Sequence, residues 1–520
     1  MLLAQLLLVS SVAASKVIPH YSPALLPDDQ AAASSDDTGL STASKRGWIE
    51  LPIQRANVPQ LHRRATGPAT APLAITNDAA GYTAAIRFGT PAQTLNLILD
   101  TGSPLTWAAS TNISAFTPSG GTAGETTAAL EKEICTSKGC YNPGSSSTYA
   151  DTPAQVFAIS YVDTSEAVGE IISETASFAG LSVPNFEFGL ATYQYNPSSS
   201  GAVAGIIGLG PAVTLDGFPS VADAISAMAN STETPFTSPT LLDQFVAAKV
   251  IASSAFSLYL DAEGNGSVIL GGVDAARYSG PLTVVPIVEP ADRSLQVTLL
   301  SVGFNGSTAA ASTASVDNIV VLDSGTTVVY LPTNVVSLIA SSLGGTVQGS
   351  QPVVPCSAIT ATTTIDFHFQ NGATIRTPVE LLVDAVGRSK GQQVCQIGVV
   401  GVSSDAYFLL GDYFLRSAYV VYNWDQQQIA LAQVRYADTG SSGGGGNISA
   451  ITTGTFGIPN AVYNASSPGA SGVANVATVS GTSQPWSAAS TTASSAAAAT
   501  GLTLSLTLLA ALLAASFILT

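Results

Sequence analysis

Two aspartates in this chain have matching surroundings. Asp100 lies in Ile98-Leu99-Asp100-Thr101-Gly102-Ser103, and Asp323 lies in Val321-Leu322-Asp323-Ser324-Gly325-Thr326. Each is an apolar run closed by a carboxylate, then a hydroxyl, a glycine and a second hydroxyl. A carboxylate at the end of such a run, beside a glycine that lets backbone approach closely, is partly shielded from water. The hydroxyls of Thr101, Ser103, Ser324 and Thr326 are expected to donate hydrogen bonds that hold each carboxylate in its plane. Brought face to face, the two carboxylates cannot both ionise readily, so the pair shares one proton. The ionised member then acts as a base toward a water while the protonated member polarises a carbonyl. That chemistry needs no metal, no cofactor and no covalent intermediate.

A single Asp-x-Gly marks an ordinary turn. Here each copy is followed by two apolar residues and a glycine: Ile206-Ile207-Gly208 and Leu409-Leu410-Gly411. The offsets are 208 − 100 = 108 and 411 − 323 = 88 residues. This is a duplication on the scale of a lobe, with an acid at the same place in each copy.

The elements that must position these acids read as β. Residues 82–88 alternate apolar and polar, a Gly-Thr-Pro-Ala-Gln turn follows, and 94–99 alternate again into Asp100. Helical patterns are scarce, the best being 239–251. The expected fold class is all-β: two pseudo-twofold-related β lobes with the active-site cleft between them.

On these residues the chain resembles the pepsin-like aspartic peptidases over about 78–437, and its ends look like the fungal GPI-anchored, yapsin-type members. The resemblance implies a bilobal endopeptidase with Asp100 and Asp323 as catalytic residues, acting on protein or peptide substrates as a monomer. Tyr161, in Ile159-Ser160-Tyr161-Val162-Asp163-Thr164, falls on the tyrosine of the hairpin flap that closes over substrate. Trp107 matches the tryptophan that hydrogen-bonds this tyrosine. Cys135 and Cys140 match the small first-lobe disulfide, and Cys356 and Cys395 the second-lobe disulfide. Val162 and Thr164 stand where the family usually has glycines. Asp163 is a candidate partner for a basic substrate side chain, although a preference for large apolar residues fits the family equally.

The ends read as processed segments. Residues 1–14 are short and apolar with an Ala-rich exit, as in a signal peptide. Residues 15–64 carry the dibasic pairs Lys45-Arg46 and Arg63-Arg64, and are expected to be a pro-segment ending at Arg64. The lobes are then placed at 65–255 and 256–438. After Asp438 there is no Asp, Glu, Lys or Arg. Residues 439–500, rich in Ser, Thr and Gly, are expected to stay extended as a stalk. The apolar end, 501–520, lacks a basic cytoplasmic flank and fits a GPI-attachment signal. The expected location is the outer face of the plasma membrane or the cell wall. Six N-x-[ST] sequons, at Asn112, Asn230, Asn265, Asn305, Asn447 and Asn464, agree with a secretory route and with glycosylation.

Other functions are excluded by residue type. Between residues 65 and 438 there are 11 Lys and Arg against 29 Asp and Glu, a net charge of 11 − 29 = −18. That bias repels nucleic acid. Processing would remove His20 and His62 and leave only His368, which argues against a multi-histidine zinc site. His368 lies in an alternating strand, and the cysteines have partners by the resemblance, so neither suits a nucleophilic triad. Gly205-Ile206-Ile207-Gly208-Leu209-Gly210 lacks the βαβ context of a nucleotide loop and reads as a tight strand turn.

Overall fold

The computed structural model describes residues 47–55, 82–115, and most of 135–436 and 448–463. The leader, both dibasic pairs, the anchor signal, Val162, Asp163, Thr164, Asn230, Asn447 and Asn464 lie outside the described residues. All described residues fall in one compact unit, Met1–Val476.

Alternation becomes strand as expected. Tyr82–Phe88 buries every second residue and pairs antiparallel with Gln93–Asp100, which carries the first aspartate. The first lobe continues through Trp107–Ala115, the long hairpin Ala150–Ser160 and Glu166–Phe178, and Leu181–Tyr195. The second lobe is built on a seven-stranded sheet that includes Gln296–Phe304, Asn318–Leu322, Val329–Pro332 and Phe408–Leu410. A four-stranded sheet adjoins it in sequence, and the Cys356–Cys395 disulfide sits there. Cys135 is bridged to Cys140 in the first lobe.

The first-lobe sheet continues from Tyr82–Phe88 into the interlobe strands, in the order Ile49–Arg55, Asn265–Leu270, Ala255–Leu260, Ala418–Asn423, Gln428–Val434, Tyr278–Pro286. Ala255–Leu260 and Ala418–Asn423 are buried at every position. Apolar side chains therefore cover both faces, as for a central strand with no solvent side. The helix expected within 239–251 forms at Leu241–Ala247. Thr240 caps it, accepting from Asp243 N while the Asp243 carboxylate accepts from Thr240 N, and Leu241, Leu242 and Phe245 turn into the core.

Two stretches outside the lobe boundaries drawn from sequence are folded, and the second corrects the expectation of an extended stalk. Ile49–Arg55, inside the expected pro-segment, pairs antiparallel with Asn265–Leu270 from Ile49↔Leu270 to Gln54↔Asn265. Its Ile49, Leu51 and Ile53 are buried, so alternation overrode the polar composition around it. Residues 448–463, inside the expected stalk, are folded as well. Ile448–Ala450 pairs with Gly272–Asp274, and Ala461–Val462 runs parallel to Tyr278–Pro286. Between them Ile451 and Ile458 are buried against Tyr259, Val273, Tyr278 and Tyr419. Average composition hid two apolar anchors, Ile451 and Ile458, in a Ser/Thr/Gly background.

Candidate active site

Each aspartate leaves its strand over a glycine supplied from the far end of its own lobe. Gln93–Asp100 pairs parallel with Gly205–Gly208, placing Asp100 opposite Gly208. Asn318–Leu322 pairs parallel with Phe408–Leu410, placing Leu322 opposite Leu410 and so Asp323 at the level of Gly411. A Cβ on Gly208 would lie 2.5 Å from Pro104 C, and one on Gly411 would lie 2.4 Å from Thr326 O. The chain beyond each aspartate crosses directly over that glycine, and a side chain there would block it. Gly205–Gly208 is not the tight turn expected but a buried strand, paired with both Gln93–Asp100 and Trp107–Ala115.

The two carboxylates are held by matching donors. Asp100 Oδ1 accepts from Gly102 N at 2.8 Å and Oδ2 from Ser103 Oγ at 2.5 Å. Asp323 Oδ1 accepts from Gly325 N at 2.9 Å and Oδ2 from Thr326 Oγ1 at 2.6 Å. The Oδ1 atoms face inward. A Cβ on Gly102 would come within 2.9 Å of Asp323 Oδ1, and one on Gly325 within 2.8 Å of Asp100 Oδ1. Burial, then the charge of Asp323, pushes the Asp100 pKa up to about 7 against the hydrogen bonds from Ser103 and Gly102. One proton therefore stays on the pair through the acid range.

Only two of the four expected hydroxyls bind the carboxylates. Thr101 and Ser324 reach across to the other lobe instead. Thr101 Oγ1 donates to Leu322 O at 3.1 Å and accepts from Ser324 N at 3.0 Å. Ser324 Oγ donates to Leu99 O at 3.0 Å and accepts from Thr101 N at 3.1 Å. Both side chains are buried where the two aspartate-bearing strands meet, and the opposite backbone offers the nearest partners. Four crossing hydrogen bonds thus fix one aspartate's strand relative to the other.

Tyr161 follows the strand Ala150–Ser160, and its N–H donates to Ser165 O at 2.9 Å. The Trp107 indole N–H donates to the Tyr161 hydroxyl at 2.7 Å. Tyr161 and Trp107 share an apolar cluster, in which Ile98, Ile159, Tyr161 and Val203 are partly buried on Leu105, Trp107, Phe157 and Ile206. His368 is elsewhere, half-buried, with Nδ1 3.0 Å from Thr374 Oγ1 on the neighbouring strand. Asn112 and Asn305 are exposed, whereas Asn265 opens a central strand whose Ser267 is buried.

Sequence reasoning missed a second interlobe tie. The Tyr82 hydroxyl donates to Asp412, which also pairs with Arg416 at 3.3 Å. It missed the layer beneath the dyad too, where Tyr422 and Trp424 bond Leu322 O and Leu209 O. Their one sequence signal is a run of aromatics in an otherwise aliphatic strand.

A two-lobed β fold with a carboxylate from each lobe meeting at the junction defines an aspartic peptidase. The family model described as eukaryotic aspartyl protease matches residues 81–434, and the chain belongs to that family as a pepsin-like aspartic-type endopeptidase. It is 34% identical over 374 residues to aspartic proteinase sxa1 of Schizosaccharomyces pombe, covering 68% of each chain. It is 32% identical over 387 residues to secreted aspartic protease 1 of Candida albicans, covering 73% of this chain and 86% of that one. Candidapepsin-3 of Candida albicans is 29% identical over 434 residues, covering 80% and 96%.

Proposed function

We propose that Asp100 and Asp323 are the catalytic pair of an endopeptidase that works in acid at the cell surface. The observation that carries this is the matched set of donors that leaves both inner Oδ1 atoms facing each other. A water between those oxygens loses a proton to the ionised carboxylate as it attacks the peptide carbonyl. The carboxyl that holds the shared proton polarises the carbonyl oxygen and later protonates the leaving amine. Thr101, Gly102, Ser103, Ser324, Gly325 and Thr326 keep the two oxygens in register, so little reorganisation accompanies proton transfer. The Tyr161 flap, braced by Trp107, closes over the substrate and excludes bulk water.

The apolar cluster around Trp107 and Tyr161, the proposed flap tyrosine, supports large apolar substrate side chains over basic ones. A peptide-library cleavage profile tests this, and cleavage confined to Lys or Arg sites would reverse it. For location, the leader, the sequons and the charge-free apolar end support secretion and a GPI anchor, and two of the relatives above carry secreted or candidapepsin names. Release from membranes by a phosphatidylinositol-specific phospholipase is the expected result. The catalytic assignment is tested by Asp100→Asn and Asp323→Asn, each expected to be secreted, folded and inactive. Near-normal turnover in either would refute the mechanism.

A further inference from the structure

The carbonyl of Leu322 accepts two hydrogen bonds. One comes from Thr101 Oγ1 at 3.1 Å, the crossing contact from the first lobe. The other comes from the Tyr422 hydroxyl, also at 3.1 Å, rising from the interlobe sheet. Leu322 immediately precedes Asp323, so its carbonyl belongs to the peptide plane from which Asp323 extends. A carbonyl oxygen has two lone pairs, and here both are taken, which fixes the plane against rotation.

Tyr422 is placed to do this by packing. It is fully buried in Ala418–Asn423 and stacks on Phe256, with ring centroids 4.6 Å apart and planes 15° from parallel. Trp424, two residues on, lies 5.4 Å from the Tyr422 ring. Its indole N–H donates to Leu209 O at 2.8 Å, and Leu209 N in turn donates to Asp100 O at 2.8 Å. The same short stretch of one interlobe strand thus holds the backbone under Asp323 directly and the backbone under Asp100 through Leu209. Burial raises the pKa of the Tyr422 hydroxyl, so it remains a donor at any pH where the enzyme works.

We propose that Tyr422 is a positioning residue for the peptidase reaction: its hydroxyl, with Thr101, locks the Leu322–Asp323 peptide so that the two inner carboxylate oxygens stay in register. The proposal rests on Asp100 and Asp323 being the catalytic pair, and Asp100→Asn in the same assay checks that assignment separately. The ring alone fills the core, so the hydroxyl is what must be tested.

Tyr422→Phe, made in the full-length secreted enzyme, keeps the ring and its stack and deletes one oxygen. The expected result is a fall of about tenfold in kcat, equivalent to about 1.4 kcal/mol, with KM unchanged. The alkaline limb of the pH–rate profile should move to lower pH, because carboxylates no longer held face to face share their proton less tightly. Thr101→Val removes the other donor, and the double variant should lose less than the product of the single losses. A Tyr422→Phe enzyme with unchanged kcat and pH profile would overturn the proposal. So would losses that multiply in the double variant, or a lower Tm with full turnover in the folded fraction.

Discussion

The Trp107 indole donates to the Tyr161 hydroxyl over 2.7 Å, joining a fully buried side chain of the first lobe to the first residue past the strand Ala150–Ser160. Trp107 is packed against Leu105, Phe157, Ala167 and Ile206, so its ring has little freedom and the tyrosine inherits that fixity. Trp107→Phe keeps most of the apolar volume and removes the donor. If Tyr161 is the flap tyrosine proposed above, the expected result is a kcat/KM about tenfold lower, carried mainly by KM, because its ring is held less firmly. Steady-state kinetics on one peptide substrate check it, and an unchanged KM would count against the brace.

Asp100 makes stability as well as activity depend on pH. Its folded pKa is raised from 3.8 to about 7, by burial first and the Asp323 charge second. The native state therefore holds this proton more tightly than the unfolded chain. The resulting stabilisation is complete below about pH 4 and is lost as pH rises through about 7. Activity should fall over the upper part of the same range as the shared proton leaves. Thermal melts of wild type and Asp100→Asn from pH 4 to pH 8 should show the variant losing less stability with rising pH. Parallel curves would show that Asp100 is not the group responsible.

The glycines of the two triplets should tolerate nothing larger. A Cβ on Gly102 would sit 2.9 Å from Asp323 Oδ1, and one on Gly325 2.8 Å from Asp100 Oδ1. Gly325→Ala is expected to fold, since the methyl meets carboxylate oxygens and not the hydrophobic core. It should lower kcat by about a hundredfold or more by displacing the attacking water and parting the pair. Measurement of kcat alongside circular dichroism separates this from misfolding, and a Gly325→Ala enzyme within a few-fold of wild type would contradict it.

Truncation should distinguish the folded enzyme from its tail. A chain ending at Asp438 loses Ile451 and Ile458, each worth about 1.5–3 kcal/mol of burial, and uncovers the apolar surface of Tyr259, Tyr278 and Tyr419. A chain ending at Tyr463 keeps both. The shorter chain is expected to be secreted poorly and to melt several degrees lower, while the longer one matches the full-length enzyme. Equal melting temperatures would show that residues 448–463 add nothing to stability.

What was legible in the sequence was local or repeated. Asp100 and Asp323 stood out because the pattern around each is short, occurs twice and has a matching apolar-Gly partner downstream. The same local view misassigned Thr101 and Ser324, whose nearest partners in space belong to the opposite lobe. No spacing rule points from Leu322 to Tyr422 or from Leu209 to Trp424, because those contacts exist only once the interlobe sheet has formed. The boundary at Arg64 followed a dibasic pair and that at Asp438 followed composition, and neither registers an apolar anchor. Ile49, Leu51, Ile53, Ile451 and Ile458 show that a few well-placed apolar side chains outweigh the average of a polar segment.

The segment 448–463 also decides where mechanical force would enter the molecule. Any pull exerted through the chain beyond Tyr463 meets Ala461–Val462 first, which is held by only two residue pairings to Tyr278–Pro286. Next in line are Ile458 in its pocket, the Gln428 side-chain amide on Thr455 O at 3.0 Å, and Ile451, whose N–H donates to Gly271 O at 2.7 Å. These contacts lie between the end of the chain and Ala418–Asn423, the strand that carries Tyr422. A pull on the end of the chain would therefore have to break these contacts before it could bear on the strand beneath the two aspartates.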